Sequence, residues 1–240
     1  MKMAEAQPHQ MRHKIWAVIP AAGSGSRFSK TELKQYQMIK GQTVLEHTVC
    51  RLNELPLSGY VLAMSEDDSV AKTLNLTQPG KAHFCVGGAE RVNSVLSALT
   101  YLSQIASPED LVLVHDAARP CVTQDCLNRL VNTTIQQNCS AILAIPVRDT
   151  LKFVKQKNNI DKTVSREYLW QAQTPQISKL GLLKHAIEKA LQDGVTITDE
   201  ASALEYVGET VKVVQGRSDN IKITYADDLE LAKLILSSQK

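Results

Sequence analysis

The stretch Ile15–Tyr36, IWAVIPAAGSGSRFSKTELKQY, sets the fold. Ile15–Ile19 is an apolar run short enough for one buried strand. Small residues follow it, then a first cation, Arg27, and a second, Lys34. An apolar strand that breaks into a small-residue turn is how a parallel α/β sheet opens.

Working outward, the same rhythm repeats. Gly59–Met64, Leu111–His115, Ala141–Val147 and Val211–Val214 read as strands, and Ala82–Val86 as a weaker one. Between them lie helical patterns. Thr43-Val-Leu-Glu46 is a capping box that opens a helix through about Leu55. In Glu90–Gln104, the residues Val92, Val95, Leu96, Leu99 and Leu102 mark one face. Thr123–Gln137, Ser178–Gln192, Asp199–Tyr206 and Tyr225–Leu236 are helical, the last with Thr224 as its expected cap. Alternation of this kind predicts a mostly parallel sheet with helices on both faces, and ligands at the C-terminal strand ends. Arg148–Glu167 breaks the rhythm: it is polar, lysine-rich and weakly alternating, with a turn signal at Asn158-Asn159. It reads as a β-hairpin leaving the body, or as a plain surface loop.

With 240 residues the chain suits one large domain, 14–240, behind a polar lead-in, 1–13, expected to be disordered. A net charge of +2 gives no bulk attraction for nucleic acid or a membrane surface. Five cysteines, odd in number and without a CxxC pair, point to reduced thiols in a cytoplasmic protein and against a zinc site. There is neither a membrane-length apolar run nor a signal-peptide core.

The opening loop fails two familiar templates. After Gly23 and Gly25, a dinucleotide fingerprint needs a third glycine where Phe28 stands, and a Walker loop also fails at Phe28. What remains is backbone that a ligand can approach, at Ala21, Ala22 and Gly23, then Arg27 and Lys34 to neutralise charge in phosphoryl or nucleotidyl transfer. Other strand ends carry matching chemistry. Gly87-Gly88 opens a helix, with Ser94 one turn in. His115-Asp116 follows the strongest strand; Asp116 suits a divalent metal, Arg119 a phosphate or Asp116 itself, and His115 a packed imidazole. Arg148-Asp149-Thr150 and Asp219-Asn-Ile-Lys222 follow later strands, offering Asp219 as a second carboxylate for the metal and Lys222 as a phosphate ligand. Thr198-Asp-Glu200 opens a helix, where its acids favour the helix dipole. Trp170 reads as packing.

In order, PAAGSGSRF, LKQY, GGAERVNSV, VHDAARP, PVRDT, TDEASALE and GRSDNIKIT make the chain resemble the 2-C-methyl-D-erythritol 4-phosphate cytidylyltransferases from about Ile15 to Leu236. The resemblance implies a Rossmann-like α/β domain with a protruding β-arm, 148–170, that interlocks in a homodimer. It implies CTP and methylerythritol phosphate as substrates, with Mg²⁺. It gives Arg27 and Lys34 the transition state; Ala21, Ala22, Gly23, Gly88 and Ser94 the CTP site; and Arg166, Lys222, Asp116, Arg119, Thr150 and Thr174 the second substrate. The chain departs from the family pattern at Leu33, where proline is common, and at Ala89, where aspartate is common. Ribitol-5-phosphate cytidylyltransferases share the loop logic, so the polyol pocket must separate the two activities. A catalytically silent nucleotide-binding protein on the same fold is the reading of a different class.

Overall fold

The computed structural model describes residues 13–23, 28, 33–156 and 158–239. In chain order the elements are β1 (Ile15–Pro20), the small ribbon β2 (Met38–Ile39) and β3 (Gln42–Thr43), α1 (Val44–Leu52), β4 (Gly59–Met64), β5 (Ala82–Val86), α2 (Arg91–Leu102), β6 (Leu111–Val114), α3 (Gln124–Gln137), β7 (Ser140–Pro146), β8 (Leu151–Gln156), β9 (Asn159–Val164), β10 (Trp170–Lys179), α4 (Leu180–Gln192), α5 (Glu200–Tyr206), β11 (Val211–Gln215) and α6 (Ala226–Ser238). Seven strands form one sheet in the order β11-β7-β10-β6-β1-β4-β5. Pairings β1/β4, β1/β6, β4/β5 and β7/β11 are parallel, and only β10 runs against its neighbours β6 and β7. This is a Rossmann-like α/β sheet.

The two-residue period of β1 distributes its side chains to both faces. Ile15, Ala17 and Ile19 join a core with Leu45, Val49, Leu127 and Leu130 from α1 and α3. Trp16 and Val18 join the opposite core with Val95, Leu99, Leu183 and Ile187 from α2 and α4. Helix starts follow the capping signals. Thr43 Oγ1 accepts the Glu46 N–H at 3.1 Å while Glu46 Oε2 accepts the Thr43 N–H at 2.6 Å. Asp199 Oδ1 accepts the Ser202 N–H at 3.0 Å at the head of α5.

Three expectations need correction. The helix expected from Ser178 begins at Leu180, and Trp170–Lys179 is instead a strand between β6 and β7. Its inner residues are mostly polar, so no apolar alternation announces it. Hydrogen bonds hold it there: Ser140 Oγ and Ser178 Oγ lie 2.8 Å apart, Gln176 Nε2 donates to Asp199 Oδ2 at 2.9 Å, and Gln176 Oε1 accepts the Ala201 N–H at 2.9 Å. Helix α1 stops at Leu52, short of Leu55, which is buried in the loop beyond. Thr224 does not cap α6; Asp228 Oδ2 accepts the N–H groups of both Thr224 and Tyr225 at 2.8 Å.

The rhythm-breaking segment is a hairpin. β8 and β9 pair antiparallel as a sheet of their own, with Asn158 at φ 60° in the turn. Phe153, Val154 and Ile160 stand exposed on it. The expected disorder of 1–13 lies, but for His13, outside the described residues. No helix among them is long and apolar enough to cross a membrane.

Replacing Gln176 with leucine orphans the buried Ala201 N–H. The variant should lose about 2 kcal/mol of unfolding free energy, read from urea midpoints.

Candidate active site

Strand β6 delivers its next two residues to a fixed position. His115 and Asp116 are buried, and the His115 N–H donates to Val18 O at 2.9 Å, continuing the sheet. The imidazole is locked on both sides. Nε2 lies 3.0 Å from Arg119 O, which can only accept, so Nε2 carries the proton. Nδ1 then accepts the Thr174 hydroxyl at 2.8 Å, and Thr174 Oγ1 in turn accepts the Asp116 N–H at 3.1 Å. Burial pushes the His115 pKa down to about 4, so the ring is neutral and structural.

Asp116 sits among three cations. Arg91 Nε donates to Oδ1 at 2.9 Å, Lys222 Nζ stands 2.8 Å from Oδ2, and Arg119 Nε lies 3.5 Å from Oδ2. Burial alone would raise this carboxyl, yet Arg91, Lys222 and Arg119 hold it well below the usual carboxylate range. Arg91, the first residue of α2, also donates Nη1 and Nη2 to Glu200 at 2.7 and 3.0 Å, a bidentate pair that joins α2 to the first residue of α5. Three cations against two carboxylates leave a positive excess, with Lys222 on the open side lining the cavity. The Lys222 loop is itself tied to β10: Gln173 Nε2 donates to Arg217 O at 2.8 Å, and Asn220 Nδ2 to Thr174 O at 2.9 Å.

The cavity in front of Asp116 measures about 300 Å³. Ala21, Ala22 and Gly23 after β1 form one wall, Gly88 and Ser94 another, and Lys34 and Gln35 a third. The first two walls come close because Gly87 has no side chain; a Cβ there would stand 2.7 Å from the Ala22 Cβ and 2.7 Å from Ser94 Oγ. Ser94 is buried and accepts the Gly88 N–H at 3.1 Å, shaping the loop it faces. Gln35, also buried, donates Nε2 to Ala21 O at 3.0 Å and fixes the Lys34 turn against the small-residue loop. Ala89 lines the cavity too, and its polar groups there are backbone ones.

Lys34, Asp116, Lys222, Ala21, Ala22, Gly23, Gly88 and Ser94 thus share one cavity. Thr174 and Arg119 stand behind Asp116 as its supports. Thr150 and Arg166 are exposed, at the base of the hairpin and after its second strand, and do not line the cavity of this chain. Arg27 lies outside the described residues. Asp219 is not brought to Asp116: its carboxylate accepts two N–H groups of Arg217, at 2.8 and 2.6 Å. The expected metal pair is therefore not assembled. Asp116 has both oxygens engaged by cations, and among the described residues no three His, Cys, Asp or Glu side chains gather as a cation site. Among the described residues the donor set does not fit a metal held by the protein.

Sequence reasoning gave no role to Arg91 and Gln35 and read Glu200 as a helix-dipole acid. The signal was available only in part, since Arg91 sits in GGAER beside two singled-out glycines. Its partnership with a residue 109 positions away has no sequence signature.

The histidine makes a pH prediction. Its folded pKa lies below its unfolded value, so the unfolded chain binds the proton first, and stability falls as pH drops from 6.5 toward about 4. Between about pH 7 and pH 5 this site should cost about 2 kcal/mol. Urea midpoints of His115→Gln should lack that part of the loss.

The matrix of the 2-C-methyl-D-erythritol 4-phosphate cytidylyltransferase family (IspD) matches residues 15–238. A protein of that name from Acinetobacter baumannii strain ATCC 17978 is 72% identical over 226 residues, covering 94% of this chain and 95% of that protein. One from Vibrio parahaemolyticus is 49% identical over 225 residues, with 93% and 96% covered. The crystal structure of the Francisella tularensis 2-C-methyl-D-erythritol 4-phosphate cytidylyltransferase superposes with a TM-score of 0.80 at 36% identity, covering 92% of this chain and 99% of that one.

Proposed function

The chain belongs to the 2-C-methyl-D-erythritol 4-phosphate cytidylyltransferase family, and we propose on that footing how its residues divide the reaction. The enzyme condenses CTP with 2-C-methyl-D-erythritol 4-phosphate, giving 4-diphosphocytidyl-2-C-methyl-D-erythritol and pyrophosphate in isoprenoid precursor biosynthesis. The observation that carries the division of roles is the single cavity shared by the small-residue loop, Lys34, Asp116 and Lys222.

A phosphate oxygen of methylerythritol phosphate attacks the α-phosphorus of CTP. The new P–O bond forms as the α–β bridging P–O bond breaks, and pyrophosphate leaves with that electron pair. The nucleophile is already an anion, so no general base is needed. Ala21–Gly23 and Gly88 admit the nucleotide to close range, with Ser94 holding their loop in shape. Lys34 and Arg27 neutralise charge that builds at the α-phosphate. Lys222 meets the substrate phosphate from the excess-positive side of the Asp116 cluster. Mg²⁺, if required, would come with the CTP triphosphate as its counter-ion rather than be held by these side chains.

Arg166 and Thr150 do not line the cavity of their own chain, and the hairpin exposes Phe153, Val154 and Ile160, with Trp170 beyond it. Both features support a homodimer in which the arm of one subunit reaches the site of the other. The five cysteines are free thiols, in keeping with a cytoplasmic enzyme.

Lys34→Ala and Arg27→Ala should each lower kcat by about 10²-fold or more in a pyrophosphate-release assay, as removal of single oxyanion donors does. The same assay with ribitol 5-phosphate in place of methylerythritol phosphate should give little product. Equal turnover would move the assignment to the other polyol. Mixing inactive Lys34→Ala and Arg166→Ala subunits should restore activity, since half of the sites in a mixed dimer are intact. No recovery after verified exchange would place Arg166 outside the partner's site.

A further inference from the structure

Lys34 opens a three-residue helical turn, Lys34–Tyr36, and both residues that follow it are tied to strand ends. Gln35 holds Ala21 O, as above. Tyr36 lays its ring against the larger core and donates its hydroxyl to Asp68 Oδ2. Asp68 lies in the turn after β4, where its own N–H donates to Ser65 O at 3.1 Å. Its other oxygen accepts the N–H groups of Val70 at 2.9 Å and Ala71 at 3.0 Å, and Ala71 is fully buried. The half-buried carboxylate is thus held by three donors, one of them the N–H of buried Ala71. A hydroxyl on an ionised carboxylate is among the stronger hydrogen bonds available to a side chain. Burial, reinforced by Asp68, raises the Tyr36 hydroxyl far above its ordinary range, so it stays a donor at any working pH. Beside the turn lies a second cavity of about 300 Å³, bounded by Leu33, Tyr36, Ser69 and Val70, into which the turn has room to shift once untied.

We infer that Tyr36 and Asp68 are positioning residues for the transfer step: the pair holds the Lys34 turn so that its ammonium group stays at the reacting phosphate. Neither residue lines the cavity in front of Asp116, so both act through Lys34. The inference rests on the reading of Lys34 as the transition-state cation. It also accounts for how the turn stays fixed with leucine at position 33. Leu33 has an extended backbone, φ −81°, and its carbonyl accepts the Tyr36 N–H at 3.0 Å, closing the turn that Gln35 and Tyr36 tie down.

The test is a mutant cycle on the full-length enzyme, followed by steady-state pyrophosphate release with CTP varied. Tyr36→Phe and Asp68→Asn should each lower kcat by about ten-fold, a displacement of under 1 Å being enough for that. The KM for CTP should stay within about two-fold, because ground-state binding is untouched. In a Lys34→Ala background neither substitution should lower kcat further. Circular dichroism at the assay temperature confirms that each variant is folded; if one is not, the other carries the test. Full kcat in both folded variants overturns the inference, as does an equal loss with and without Lys34. A Lys34→Ala enzyme of normal rate removes the reading of Lys34, and the positioning role with it. A slow Lys34→Ala enzyme beside a fast Tyr36→Phe enzyme removes the positioning role alone.

Discussion

The carboxylate of Asp116 stands at the end of β6 with Arg91, Lys222 and Arg119 around it, and the geometry of the site depends on that neutralisation. A buried carboxylate is costly alone, and three clustered cations are costly alone. Together they fix three separate loops at one point. Arg91 brings the start of α2, and through Glu200 the start of α5; Lys222 brings the loop after β11. Taking Asp116 away would leave those cations facing one another behind the cavity. The same cluster gives the cavity its positive excess, which is what two phosphorylated substrates need.

The sheet makes that meeting possible. Parallel strands send their C-terminal ends to one edge, so β1, β5, β6 and β11 all release their loops there. Reversed β10 contributes its first half to the same edge, and with it Thr174 and Gln173. Thr174 orders His115 and Asp116, while Gln173 and the Thr174 carbonyl anchor the loop that carries Lys222. The one strand that breaks the parallel order therefore supplies much of the site's support.

Much of this was legible from residues alone. The apolar run at Gly59–Met64 marks a strand with the observed bounds, because buried parallel strands are written in continuous apolar residues, and the weaker run Ala82–Val86 marks the half-buried edge strand. The capping oxygens of Thr43, Thr123 and Asp199 mark helix starts for a local reason, a side chain bonding its own next turn. β10 was hidden because hydrogen bonds to Ser140, Asp199 and Ala201 replace the apolar pattern that would have shown it. The site divides the same way. Small residues, cations and a carboxylate after strands point to Ala21–Gly23, Gly88, Lys34, Lys222 and Asp116, all of which line one cavity. Asp219 looked equivalent by position, but Arg217, two residues away, takes its carboxylate. The Arg91–Glu200 and Tyr36–Asp68 pairs join distant parts of the chain, and spacing carries no trace of them.

The ionisation of Asp116 tests the account most directly. Its carboxyl carbon can be followed by NMR as pH is lowered, with the resonance assigned by its loss in Asp116→Asn. At about pH 4 an ordinary aspartate is half protonated. With three cations around it, Asp116 should remain ionised there while exposed aspartates titrate. A midpoint shared with those exposed groups would contradict the claim that Arg91, Lys222 and Arg119 close on one buried carboxylate and build the site around it.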